Sequence, residues 1–224
     1  MHGLVVAKLA VLGVGTGVGK TQVSTSILRS LLGRRAVAPF KPVESGTDEN
    51  GGVPADALAL LSASGLSVPL SSVCPWPLPR PLAPAAELER LGIELPMASF
   101  LAAGEALASY APNLLFEGAG GVLSPITWAI DALEISASLG AEVLLVARDE
   151  LGAMSALRTA MESIDRRGLK LRGVVLNRWA DERSVPPGDN ASALARWTSS
   201  PVYRASIEGV EAALVEALAH YFEP

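Results

Sequence analysis

Residues 9–21 read L-A-V-L-G-V-G-T-G-V-G-K-T, and no other stretch constrains the fold as tightly. An apolar run stops at Gly13, glycines recur at 15, 17 and 19, and Lys20-Thr21 closes the segment. Residues 22–32 then turn amphipathic. A strand feeding a glycine-rich turn and a helix N-terminus makes a phosphate cradle. Backbone N–H groups point inward, the helix dipole favours an anion, the lysine ammonium meets terminal phosphates and the hydroxyl ligates Mg²⁺. The common spacing G-x-x-x-x-G-K-[ST] would put its first glycine at position 14. Here that position is Val14, and the interval from Gly13 to Gly19 is one residue longer.

The rest of the chain repeats the alternation of apolar, β-branched runs with helical patterns. Strands are expected over 5–12, 36–40, 114–116, 143–147 and 173–176. Helices are expected over 21–32, 54–64, 97–110, 130–139, 151–166, 189–197 and 208–221. The proline-dense stretch 68–84 reads as an extended surface loop, because proline removes donors and breaks regular structure. Such alternation predicts an α/β fold, a mostly parallel sheet of P-loop NTPase type with helices on both faces. No repeat or linker interrupts it, so one nucleotide-binding catalytic domain is expected over residues 1–224.

Composition narrows the class. Half of the 224 residues are hydrophobic and only 18% are charged, which is ample material for a core. A net charge of −5, with no cluster of Lys and Arg among aromatics, argues against nucleic-acid binding. Cys74 is the only cysteine, which excludes a disulfide framework or zinc cluster and suits a reducing cytoplasm. No apolar stretch reaches the roughly 18 residues of a membrane span.

In open sheets of this kind, ligands sit beyond the carboxyl ends of the strands. The expected strand ends carry polar residues of a particular sort: 13–21, 41–45, 117–121 and Asn177. Lys20 and Thr21 supply a phosphate contact and a Mg²⁺ ligand. Glu117 leaves its strand in E-G-A-G-G, where glycines let backbone approach a ligand, and Asp56 is a second candidate carboxylate. Asp56 could equally be a helix-terminal acid answering the dipole. Pro42 biases Lys41 to extended geometry, so its side chain is aimed from a strand end toward the P-loop. Ser45 and Gly46 offer a hydroxyl and free N–H groups. The only histidines, His2 and His220, lie far from these motifs, so no nucleophilic triad is available. Lysines, carboxylates, Mg²⁺ and backbone amides are left to do the chemistry.

The segments G-V-G-T-G-V-G-K-T, K-P-V-E-S-G, A-D-A-L-A-L, P-L-A-P-A-A and E-G-A-G-G-V-L-S-P-I resemble, in order and spacing, those of dethiobiotin synthetases. The longer glycine interval is a feature of that family. The resemblance is strong over 5–126 and fades beyond. It implies ATP- and CO₂-dependent ring closure of 7,8-diaminopelargonic acid through a carbamate and a carbamic–phosphoric anhydride. It further implies ATP contacts from Gly17, Val18, Gly19, Lys20, Thr21, Gln22, Asp56, Glu117, Gly118, Ala119 and Gly120, with Asn177 on the base. Lys41, Lys20 and Thr16 would be catalytic, while Thr21, Asp56 and Glu117 would hold Mg²⁺. Ser45 and Pro84 would contact the substrate within the chain, and a homodimer partner would hold its carboxylate tail. At that place the family's L-G-x-x-N-H reads L-G-A-M-S-A here, with Ser155 and Ala156 for Asn and His. The P-V-Y-R-A-S segment likewise lacks the family's G-x-x-P.

Three alternatives remain to be weighed. A partitioning-type ATPase would carry a second loop lysine where this chain has Gly15. A corrinoid amidoligase would need a glutamine-hydrolysing domain and a reactive cysteine. A non-catalytic P-loop regulator would have little reason to keep Lys20, Thr21, Lys41, Asp56 and Glu117 together.

Overall fold

The structure is a computed structural model that describes residues 7–178 and 190–223. Val5, Val6 and Asp189, where two of the expected elements begin, lie outside the described residues.

Strand β1 (Ala7–Gly13) alternates between two apolar clusters, with Leu9 and Val11 in one and Ala10 and Leu12 in the other. A strand buried on both faces belongs inside a parallel sheet. In chain order there follow β2 (Val37–Phe40), β3 (Val43–Ser45), β4 (Trp76–Leu78), β5 (Asn113–Gly121), β6 (Glu142–Arg148), β7 (Leu171–Asn177), β8 (Val202–Ser206) and β9 (Gly209–Val210). The main sheet runs β2-β5-β1-β6-β7-β8-β9, parallel except where β9 turns back along β8. Strands β3 and β4 pair separately as a short parallel ribbon.

The helices sort by face. Helices α1 (Lys20–Leu31), α2 (Ala55–Ser64) and α9 (Ala212–Tyr221) bury Ile27, Leu60 and Leu218 on the Leu9–Val11 side. Helices α5 (Met97–Ala106), α6 (Ala132–Leu139) and α7 (Ala153–Arg166) bury Phe100, Ile135 and Leu157 on the other. Each such side chain contributes about 1.5–3 kcal/mol, so packing against the sheet fixes the helix orientations more firmly than propensity does. The chain goes left from β1 to β2, then crosses from β5 past β1 to β6. This reversal opens a crevice beyond the carboxyl ends of β1 and β5.

The expected α/β architecture with helices on both faces is present, but several elements differ. The 68–84 stretch is not one extended surface loop. It holds the short helix α3 (Leu70–Val73) and strand β4, and Val73, Cys74 and Leu78 are core residues. A proline tolerates a ribbon edge or a first helical turn, and this segment uses both. Helix α4 (Pro84–Leu91), with proline at its first position, follows where no helix was expected. Strand β5 extends past Glu117 to Gly121, because Gly121 pairs with Gly13 and tertiary pairing overrides the low strand propensity of glycine. The segment Gly209–Val210 is strand, so the last helix begins at Ala212, and β8 had no clear alternation to announce it. Short α8 (Asn190–Leu194) anchors Leu194 in the core.

Candidate active site

The glycine loop leaves β1 and enters α1 without a helical N-cap side chain. Its cap is Gly19, in the left-handed region at φ 86°. A side chain there would be strained, and its Cβ would meet Asn177 Nδ2 at 2.0 Å. Asn177, at the end of β7, is buried and donates from Nδ2 to the Val18 carbonyl at 2.9 Å. It therefore braces the loop from beneath.

Lys20 folds back over that loop. Its Nζ donates to the Gly15 carbonyl at 3.1 Å and to the Gly120 carbonyl at 2.8 Å. Burial, reinforced by the nearby Lys41 charge, pulls the Lys20 ammonium down to about 8.

Glu117 is the hinge of the site. Its Oε1 accepts both the Thr21 hydroxyl, at 2.8 Å, and Lys41 Nζ, at 2.7 Å. Its Oε2 is buried with no hydrogen-bond partner. Lys41 Nζ also stands 3.1 Å from Asp56 Oδ2. Burial opposes the charge on Lys41, but Glu117 and Asp56 outweigh it and raise its pKa, so the side chain is a firm cation. Asp56 stands in the first turn of α2 with its carboxylate paired to Lys41, a placement compatible with both readings open for it. Two first-turn N–H groups of α2 are taken by Glu44, with Asp56 N donating to Oε1 and Ala57 N to Oε2, both at 2.9 Å.

These residues open into a cleft of about 660 Å³. Thr16, Gly17, Gly19, Lys20, Thr21 and Gln22 line its loop side, and Lys41, Glu44, Ser45 and Asp56 face them. Ser45 Oγ is buried without a partner. Ala119, Gly120 and Pro84 complete the walls with Pro81, Leu82, Ala83, Ser124 and Pro125. The 81–84 wall is zipped to the Ser45 loop, with Gly46 N donating to the carbonyls of Leu78, at 2.9 Å, and Arg80, at 3.1 Å. Buried Glu87 then clamps it from α4, accepting Arg80 Nε at 2.9 Å and Arg90 Nη2 at 2.6 Å.

Not every expected residue reaches this cleft. Gly118 packs internally, where a Cβ would meet Leu12 Cδ2 at 2.8 Å, because alternation along β5 turns it away from its neighbours Glu117 and Ala119. Val18 gives its carbonyl to Asn177 while its side chain sits in the core, and Asn177 itself lies behind the loop, outside the cleft lining, as does the fully buried Glu117. Ser155 lies on the exposed first turn of α7, outside the cleft. Glu44, Ser124 and the Arg80–Glu87 clamp escaped the sequence reading. For Glu44 one signal existed: α2 begins at Pro54-Ala55 with no capping side chain of its own.

Thr21, Glu117 and Asp56 could hold Mg²⁺. A hydroxyl and two carboxylates suit an ion that keeps water and phosphate oxygens in its shell, and the orphaned Glu117 Oε2 is a free oxygen ligand. Among the described residues no three His, Cys, Asp or Glu gather into a self-sufficient metal cluster. No Cys or His lines the cleft. Burial pushes the Cys74 thiol up to about 12, so it is no nucleophile.

A parallel sheet whose central strand ends in a glycine loop, backed by lysine, threonine and a strand-end carboxylate, defines a P-loop nucleotide-binding protein. The fold is shared with the septum site-determining protein MinD of Pyrococcus horikoshii, at TM-score 0.52 and 16% identity over 96% of this chain and 86% of that one. It is shared too with the cell division protein FtsY of Thermotoga maritima, at TM-score 0.52 and 17% identity over 100% and 72%. An AAA domain model matches residues 7–222. The chain is 41% identical over 194 residues to the ATP-dependent dethiobiotin synthetase BioD of Anaeromyxobacter dehalogenans (strain 2CP-C), with 85% of each covered. It is 36% identical over 220 residues to that of Phenylobacterium zucineum, covering 93% of this chain and 94% of the relative. The chain belongs to the dethiobiotin synthetase family. No helix among the described residues is long and apolar enough to cross a membrane.

Proposed function

We propose that this chain is an ATP-dependent cyclo-ligase of biotin biosynthesis that converts 7,8-diaminopelargonic acid and CO₂ to dethiobiotin. The observation that carries the reading is Lys41. It is a buried cation on a strand end, gripped by Glu117 and Asp56, in the same cleft as the P-loop lysine. Two lysines facing one cleft suit two anions that must meet. A carbamate forms when one substrate amine adds to CO₂ and loses a proton. Its oxygen attacks the γ-phosphorus as ADP leaves, which gives a carbamic–phosphoric anhydride. The second amine then attacks the carbonyl carbon and phosphate departs, closing a cyclic urea. The carbamate is the nucleophile, so the protein needs none of its own.

In this scheme Lys20 neutralises the transferring phosphate and Lys41 holds carbamate against it. Thr16 and Ser45 hydrogen-bond the carbamate and diamine end, and the partnerless Ser45 hydroxyl is available for that purpose. The 81–84 wall, apolar in character, lies along the hydrocarbon chain. Gly17, Gly19, Gln22, Ala119 and Gly120 border the phosphates, and Asn177, held to the Val18 carbonyl beneath the loop, would meet the base. Thr21, Asp56 and Glu117 hold Mg²⁺, which neutralises phosphate charge when bound. The enzyme acts in the cytoplasm as a homodimer, in which Ser155 on exposed α7 meets the carboxylate tail bound by the partner subunit.

The test is direct. Purified protein with ATP, Mg²⁺, bicarbonate and diaminopelargonate is expected to release phosphate and form a cyclic urea. Phosphate release indifferent to the diamine would instead indicate a simple ATPase, and none at all a nucleotide-dependent regulator. Exchanging ATP for CTP or GTP in the same assay reads out nucleotide choice.

A further inference from the structure

Helix α2 carries Asp56 in its first turn, yet it begins with Pro54 as N-cap and makes no capping side-chain bond of its own. The first N–H groups of a helix need partners from elsewhere. Here two of them, on Asp56 and Ala57, are met by one side chain on another element, Glu44 of β3, which is 7% exposed. Glu44 follows Lys41 by three residues. The segment that supplies the cation therefore also grips the helix that supplies the anion. The Asp56 carboxylate, in that same first turn, is 47% exposed and stands 3.1 Å from Lys41 Nζ.

We propose that Glu44 is a positioning residue: it borders the cleft, but both its carboxylate oxygens are engaged by α2, and it fixes Asp56 against Lys41 by holding the first turn of that helix. The proposal rests on the cleft's reading as a Mg²⁺–nucleotide site. It makes K-P-V-E-S-G a two-part device, with one side chain for chemistry and one for registration. A glutamine at 44 would keep the volume but leave one acceptor for two N–H groups, and its own N–H₂ would oppose the second.

Two measurements on the full chain test this. In Glu44→Gln, amide exchange at Asp56 and Ala57 is expected to accelerate roughly tenfold or more while the sheet stays protected. Unchanged exchange at those two amides would overturn the grip. The second is a double-mutant cycle, read as the Mg²⁺ concentration that half-saturates binding of an ATP analogue with a non-transferable γ-phosphate. Glu44→Gln is expected to raise that concentration roughly tenfold, the cost typical of an outer-shell partner. On an Asp56→Ala background it should add nothing. Equal effects on both backgrounds would mean that Glu44 does not act through Asp56. Should Glu44→Gln fold poorly, Glu44→Asp, one methylene too short to span both amides, serves in the same two measurements. Neither readout needs ring closure. A wild type that forms no cyclic urea would sink the proposed reaction while leaving this cycle readable.

Discussion

Lys41 Nζ stands 2.7 Å from Glu117 Oε1, with 5% of the lysine side chain and none of the glutamate side chain exposed to solvent. Neither charge has water to fall back on, so each is the other's principal solvent. Removing one member of such a pair leaves an uncompensated buried charge, which costs about 3–5 kcal/mol. Lys41→Ala is therefore expected to abolish cyclic-urea formation and also to lower the melting temperature. Lys41→Ala combined with Glu117→Gln should recover part of that stability and none of the activity. Near-normal turnover in Lys41→Ala would remove Lys41 from the chemistry.

Lys20 is expected to make nucleotide binding pH-dependent. Burial, aided by Lys41, holds its pKa at about 8. Phosphate oxygens favour the ammonium and raise that value, so binding near pH 8 should take up about half a proton from solution. Calorimetry in two buffers of different ionisation enthalpy should find this uptake at pH 8. It should be absent from Lys20→Arg, whose guanidinium stays charged throughout. The folded form loses the Lys20 proton near pH 8 while the unfolded chain keeps it to about 10.5, so this group's contribution to stability becomes more favourable as pH rises between them.

Gly19→Ala should fold and fail to bind nucleotide. The substitution meets both a left-handed backbone and the Asn177 amide at 2.0 Å. Relief requires the loop or Asn177 to move, at a cost of about 1–3 kcal/mol concentrated where phosphate would sit. Circular dichroism close to wild type with at least tenfold weaker binding of a fluorescent ATP analogue is the expected pair of results.

Glu87→Gln should raise KM for the diamine more than it lowers kcat, because it frees the 81–84 wall and leaves the phosphate side intact. Hydrogen bonds from Arg90, joined by Arg80, hold the Glu87 carboxyl down to about 2. A depressed carboxylate stabilises fully above its ordinary value of 4.5, and that stability is lost as pH falls through about 2. The melting-temperature gap between wild type and Glu87→Gln should accordingly narrow as pH is lowered from 4.5 toward 2. A gap independent of pH would show that packing, not charge, holds the clamp.

Much of this site could be read before the fold was known. The phosphate loop, the parallel sheet and the polar strand ends that supply Lys41, Glu117 and Asn177 are written in contiguous motifs and in periods of two and 3.6. Those patterns survive because they answer local constraints, such as an inward N–H, a strand buried on both faces or a proline before which the chain extends. Even within E-G-A-G-G, however, pattern alone could not say that Gly118 faces Leu12 while Ala119 faces the cleft. That followed from how far β5 pairs along β1.

By itself, then, the sequence determined the architecture, the phosphate cradle and the family. Tertiary structure decided how the charges are shared. Thr21 and Lys41 meet on one oxygen of Glu117 from 96 and 76 residues away in sequence. Glu44 holds the start of the helix that carries Asp56, and Glu87 ties the 81–84 wall to α4. A buried donor or acceptor bonds to whichever partner packing leaves within about 3 Å, and that competition is settled only once both faces of the sheet are covered.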